Sequence, residues 1–214
     1  MINHTPDTNP NSRLSLFPYG EKELNYLRKK DKKLGAAIDR IDVTTMVGRF
    51  VQPDLFANLV RSIIGQQITT KAADTVYARF EEAFGTITPE TILTKPVEEI
   101  QKLGVSFRKA GYIFNTASAI ATGELDLDQL LHMSDEQVVS VLSKLPGIGK
   151  WTAEMMLIFS LGRMDVVSYG DLAILRGMCN LYGHEKITKD LFEKYRKRYS
   201  PYGTIASFYL WELS

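Results

Sequence analysis

Apolar residues recur at three- and four-residue intervals along most of this chain, and polar residues fill the positions between them. That spacing places the apolar side chains on one stripe of a helix, so the pattern predicts helices over about 21–30, 31–40, 53–69, 71–84, 96–103, 106–122, 134–144, 150–161, 171–182, 188–199 and 203–212. Punctuation falls between these segments, at Gly85, Pro89, Pro96, Gly104, Gly123, Pro146, Gly162, Gly183 and the Ser200-Pro201 pair. No clear alternating strand and no internal repeat interrupt the helical period, so the expected class is all-α. One stripe is Leu55, Phe56, Leu59, Val60, Ile63 and Ile64. Gln66 and Gln67 follow three residues after its last pair, which continues them on the same face if the helix persists.

Local signals are sharpest around residue 145. Ser134 and Gln137 have the spacing of a capping box, and Val138, Val141, Leu142 and Leu145 carry the helix that it starts. Pro146 ends that helix, because a proline disfavours helical dihedrals in the residue before it. The run LPGIGKWTAE, residues 145–154, then places Gly147 and Gly149 in a short hairpin that feeds a second helix. Glycine permits positive φ and leaves room for a group to approach the main chain. The second helix offers unpaired amides and the positive end of its dipole, which together seat a phosphate. An ordinary Pro-Gly turn between packed helices is the competing reading. Twenty residues after Trp151, Asp171 follows Gly170 and precedes Leu172-Ala173-Ile174, where aspartate is a good helix cap. The helix start also favours a negative charge there, which suits a carboxylate facing a developing cation.

Composition narrows the classes further. The chain has 214 residues, of which 44% are apolar, enough for a core in one compact domain or two small lobes. It has no apolar run long enough to span a bilayer, and residues 1–17 read as a flexible lead-in before a domain over 18–214. The single cysteine, Cys179, excludes an internal disulfide and a four-cysteine iron–sulfur cluster. His4, His132 and His184 lack the spacing of zinc ligands. Net charge is only +1, although Lys186, Lys189, Lys194, Arg196, Lys197 and Arg198 crowd one region and Arg28, Lys29, Lys30, Lys32 and Lys33 another. Each run also reads as a solvated helix face, and a protein that holds phosphate by main-chain amides needs few lysines.

The hairpin followed by an aspartate in a Gly-containing loop resembles the helix-hairpin-helix DNA glycosylases. Together with EKELNYLRKKDKKLGAAI and RSIIGQQITTKAA, residues 20–214 resemble their alkylation-repair branch, of the 3-methyladenine DNA glycosylase II kind. The resemblance implies two helical lobes with the active site in the cleft between them, Asp171 as the catalytic carboxylate, and duplex DNA containing damaged bases as partner. Trp151 stands where strand-cutting relatives carry a Schiff-base lysine, and Lys150 lies one residue early, about 100° around the helix. The implied chemistry is hydrolysis alone, with Trp151 as an aromatic wall that attracts a cationic alkylated purine. Trp211 matches a second pocket aromatic, against an equal reading as a core anchor, and Tyr169 would border the cleft. Met155 replaces an aromatic that some relatives use for stacking. Gln67 would wedge into the gap left by the flipped nucleotide, with Gln66 at the pocket mouth. Gly147, Gly149, Lys150 and Thr152 would hold the DNA backbone. The main-chain carbonyls of Ser143, Leu145 and Ile148 would ligate a monovalent cation, Na+ or K+, with no other cofactor required. A monomer is expected, cytoplasmic and nucleoid-associated in a bacterium or nuclear in a eukaryote. Two alternatives stay open on the sequence: a helix-hairpin-helix module that only docks on DNA, and a glycosylase/lyase of the endonuclease III kind.

Overall fold

Polar caps set the starts of most helices. The structure, a computed structural model, describes residues 15–43, 50–51 and 54–214. Among these, α1 spans Glu21–Lys30, α2 Lys32–Ile38, α3 Leu55–Gly65, α4 Thr70–Phe84, α5 Pro89–Ile92 and α6 Val97–Lys102. They are followed by α7 (Phe107–Ala121), α8 (Asp135–Leu142), α9 (Lys150–Phe159), α10 (Leu172–Tyr182), α11 (Lys189–Tyr199) and α12 (Gly203–Glu212). Asp31, Asp54, Thr69, Ser106, Ser134, Asp171 and Thr188 each accept an amide of the helix they precede, and the Ser134–Gln137 box forms as its spacing requires.

Three features depart from the pattern. The four-residue α5 and a 3₁₀ turn at Asp128–His132 are too short to display a helical period. Ser15–Leu16 pairs antiparallel with Phe50–Val51, a two-residue ladder where no strand was expected. The third departure is the end of α3, which stops at Gly65 rather than near 69, so Gln66 and Gln67 leave the helix instead of extending its face. Of the lead-in expected over 1–17, residues 1–14 lie outside the described residues. Phe17 belongs to the body: it is 2% exposed and meets Phe208 edge-on at 5.3 Å.

Two groups of helices form around one continuous apolar core. In the first, α3 to α9 pack on one another; in the second, α1 and α2 join α10, α11 and α12. The last helix is apolar on every side, and Gly203–Leu210 are all buried, as a helix without a polar face must be. Asp31 ties the chain's beginning to its end. One carboxylate oxygen caps α2 at Lys33 N (3.1 Å) and Leu34 N (3.0 Å), and the other accepts from Tyr182 Oη (2.8 Å) and Arg198 Nη1 (3.0 Å). Burial pushes the Tyr182 and Tyr199 phenols above their ordinary range, so both stay protonated within this network.

Gly177 fixes the approach of α10 to α12: a Cβ there would lie 2.0 Å from the Leu210 carbonyl oxygen. Gly177→Ala is therefore expected to lower stability by about 1–3 kcal/mol or more, as overpacking does. Gly111, inside α7, has nothing within 4 Å of such a Cβ, and Gly111→Ala should raise stability by about 0.5–1 kcal/mol. Urea unfolding of the two variants checks the pair; equal midpoints would contradict the packing described.

Candidate active site

The turn between α8 and α9 is closed by Ile148 N donating to the Leu145 carbonyl at 3.1 Å. Gly147 has φ +84°, and a Cβ there would meet the Tyr112 ring at 2.3 Å, so both conformation and space require glycine. Gly149 differs from expectation. Its backbone is extended (φ −88°, ψ 172°), within reach of any residue, and nothing lies within 4 Å of a Cβ. What its missing side chain provides is an open approach to the start of α9. That start has no side-chain cap, and the Thr152 amide has no carbonyl partner among the described residues. Thr152's own side chain is buried, so it offers the approach an amide rather than a hydroxyl. Lys150 is exposed and reaches one turn forward to Glu154 Oε1 at 3.7 Å.

Asp171 stands at the start of α10 with both carboxylate oxygens engaged. Oδ1 accepts the amides of Ala173 (2.9 Å) and Ile174 (3.0 Å), and Oδ2 accepts Trp151 Nε1 at 2.9 Å. Asp171 is 8% exposed and Trp151 47%. Trp151 is thus not a core residue; its N–H edge grips the carboxylate and the remaining surface faces outward. This bond joins the first turn of α9 to the cap of α10, across the two helix groups. The segment before Asp171 is braced on both sides. Ser168 Oγ donates to Glu154 Oε2 at 2.5 Å, and the Ser168 carbonyl accepts Asp171 N at 3.3 Å. Asp165 accepts from Ser200 Oγ and Gly203 N, which anchors the same segment to the start of α12.

The remaining predicted residues are distributed more widely. Gln66 donates through Nε2 to the Gly147 carbonyl at 2.7 Å, so it binds the hairpin directly, and Gln67 next to it has φ +60°. Trp211 stacks on Phe159 (5.7 Å, 24°) and lies near Phe208, at the far end of α9, about two turns from Trp151. Tyr169 meets Phe192 edge-on at 5.1 Å under Lys189 Nζ, 4.5 Å above its ring. It lines a cavity of about 430 Å³ with Lys150 and Glu154, whose walls include neither Trp151 nor Asp171. Met155 is buried on α9. Three contributors were not singled out from the sequence: Glu154, Ser168 and Lys109, whose ammonium donates to the carbonyls of Ile64 and Gln66. Ser168 and Glu154 are 14 residues apart and read as neutral helix or loop positions. Lys109's acceptors are main-chain atoms, which no side-chain pattern reports.

Relatives share this arrangement's chain. Residues 60–201 match the family described as HhH-GPD superfamily base excision DNA repair protein. The DNA-3-methyladenine glycosylase 1 of Schizosaccharomyces pombe is 34% identical over 164 residues, covering 74% of this chain and 72% of that protein. The Bacillus subtilis protein YfjP is 35% identical over 162 residues, 72% of this chain, and the chain spans only 56% of its length. Among solved structures, a DNA-3-methyladenine glycosidase from Bacillus halodurans superimposes with a TM-score of 0.79 at 33% identity, covering 94% of this chain and 91% of that one. The matched span contains the hairpin, Trp151 and Asp171, and the chain belongs to the HhH-GPD superfamily of base excision DNA repair proteins.

Proposed function

We propose that this protein is a monofunctional DNA glycosylase: it flips alkylated purines such as 3-methyladenine or 7-methylguanine out of duplex DNA and hydrolyses the N-glycosidic bond, leaving an abasic site. The observation that carries the reading is the bond from Trp151 Nε1 to Asp171 Oδ2. It fixes a carboxylate while placing an indole, rather than an amine, beside it. Lys150, the residue before Trp151, pairs with Glu154 instead, which disfavours a Schiff base and hence a lyase step.

Each part then has a physical task. The free amides at the start of α9 receive a phosphate through the gap at Gly149. Gln67 fills the space that the flipped nucleotide leaves. The outward surface of Trp151 receives the base, and an electron-rich indole face favours a purine made cationic by alkylation. As the C1′–N bond lengthens, its electron pair leaves with the purine and positive charge grows on the sugar. The Asp171 carboxylate stabilises that charge, and water adds to C1′ while giving up one proton to the carboxylate or solvent. The hairpin carbonyls also fit a hard monovalent cation. Leu145 O accepts a single amide, and the Ser143 and Ile148 carbonyls accept none among the described residues. A cation held there by Ser143, Leu145 and Ile148 would add positive charge beside the phosphate.

The direct test is chemical. Incubation with methylated duplex DNA is expected to release free methylated purines, identified chromatographically, and to leave abasic sites intact until alkali is added. Borohydride during turnover is expected to trap no protein–DNA adduct; a stoichiometric adduct, or no released base, contradicts the proposal. The phosphate seat has its own test in Gly149→Val. Its backbone is already in valine's range, so folding should be unchanged, while lost amide–phosphate bonds should weaken affinity for abasic-analogue DNA by about 10–100-fold. Unchanged affinity would remove the seat from this hairpin.

A further inference from the structure

The residues that follow α3 form a tight turn of unusual composition. Ile68 N donates to the Gly65 carbonyl at 3.4 Å, which closes a four-residue β-turn over Gly65–Ile68. Gln66, the first central residue, has φ −57° and ψ 129°, and Gln67, the second, has φ +60°. Those are the dihedrals of a type II turn, whose second central position is ordinarily glycine or asparagine. Gln67 is the only non-glycine residue with positive φ among the described residues. A type I turn would connect the same ends with Gln67 at negative φ. The two differ by a rotation of the central peptide, the one carrying the Gln66 carbonyl.

That carbonyl is the group held by Lys109. Its Nζ donates to Gln66 O at 2.6 Å and to Ile64 O at 2.8 Å, reaching from the first turn of α7 to the end of α3. Rotating the central peptide to the type I arrangement would carry the Gln66 oxygen away from the ammonium. Burial and the neighbouring Arg108 lower Lys109's affinity for its proton, so a charge kept there is costly unless carbonyl oxygens face it. The Gln66 side chain fixes the other side of the turn by donating to Gly147 O in the hairpin. Gln67 at the turn's tip is exposed, as are the large apolar side chains of Ile68 in the same turn and Phe107 at the start of α7.

We infer that Lys109 is a positioning residue for nucleotide flipping: it locks the 65–68 turn in its strained form and so presents Gln67 to the duplex. This rests on the reading of Gln67 as the wedge. Strain at a non-glycine residue persists only where the surroundings impose it, and the ammonium is the group that imposes it here. No covalent step is involved; the lysine acts through the geometry of the peptide it holds.

The test uses Lys109→Met, Lys109→Arg and Gln67→Ala in the full chain. A crystal structure of Lys109→Met is expected to show Gln67 at negative φ. Its single-turnover excision from a fully paired duplex should fall about tenfold or more, because the cost of opening the duplex is no longer offset. The same lesion placed in an unpaired bulge should be excised within about threefold of the parent, since little opening is needed there. Lys109→Arg, which retains the charge and donors, should restore the paired-duplex rate. A Lys109→Met structure that keeps φ positive at Gln67 overturns the lock. A flipped turn with unchanged excision, while Gln67→Ala is slow, overturns the link from lock to flipping and leaves the wedge standing. If Gln67→Ala is also unchanged, the wedge reading fails and the proposal fails with it.

Discussion

A single carboxylate, that of Asp171, holds the site together. Its two oxygens answer to different helices: one closes the start of α10 and the other takes the indole N–H at the start of α9. Because α9 and α10 belong to different helix groups, the indole N–H meets the carboxylate only where the packing of those groups brings the two helix starts together. Ser168 on Glu154 ties the segment before Asp171 to α9, Asp165 ties it to the start of α12, and Gly177 against Leu210 sets α10 on α12. A charge held this way needs no reorganisation when positive charge appears in front of it, which is the electrostatic advantage of a preformed site.

The same logic organises the hairpin and the turn after α3. Gly147 lets Tyr112 pack beneath the hairpin, Gln66 ties the hairpin to the turn after α3, and Lys109 ties that turn to α7. The hairpin, the turn that carries Gln67 and the Asp171 carboxylate are therefore parts of one connected framework. The one backbone conformation that is costly for its residue among those described, the positive φ of Gln67, occurs in the turn that Gln66 and Lys109 hold.

Features governed by near neighbours were legible in the sequence. The Ser134 capping box and the cap at Asp171 each depend on residues within one turn, and each forms as read; α8 itself ends at Leu142, ahead of Leu145 and Pro146. The family was legible for a related reason, since the hairpin and its aspartate have a fixed separation. Features governed by packing were not. An outward-facing Trp151 follows from the resemblance, but no spacing reports that its N–H finds a carboxylate 20 residues away. Helical phase put Gln66 and Gln67 on a helix face, but Lys109's bonds to the carbonyls at the end of α3 favour a turn there instead. Phe17 sits in a polar N-terminal stretch, and only the position of Phe208 on α12 shows why it is buried.

The central assignment is the chemical role of Asp171, and Asp171→Asn separates it from capping. Asparagine's oxygen can still cap α10, but its amide then faces the Trp151 N–H without accepting it. Losing that acceptor at a half-exposed indole should cost about 0.5–1.5 kcal/mol of stability. The measurement is single-turnover excision from methylated duplex DNA beside affinity for abasic-analogue DNA with the same variant. A catalytic carboxylate predicts an excision rate lower by about 10²–10³ or more with affinity retained. Excision within a few-fold of the parent would make Asp171 a helix cap and place the chemistry elsewhere.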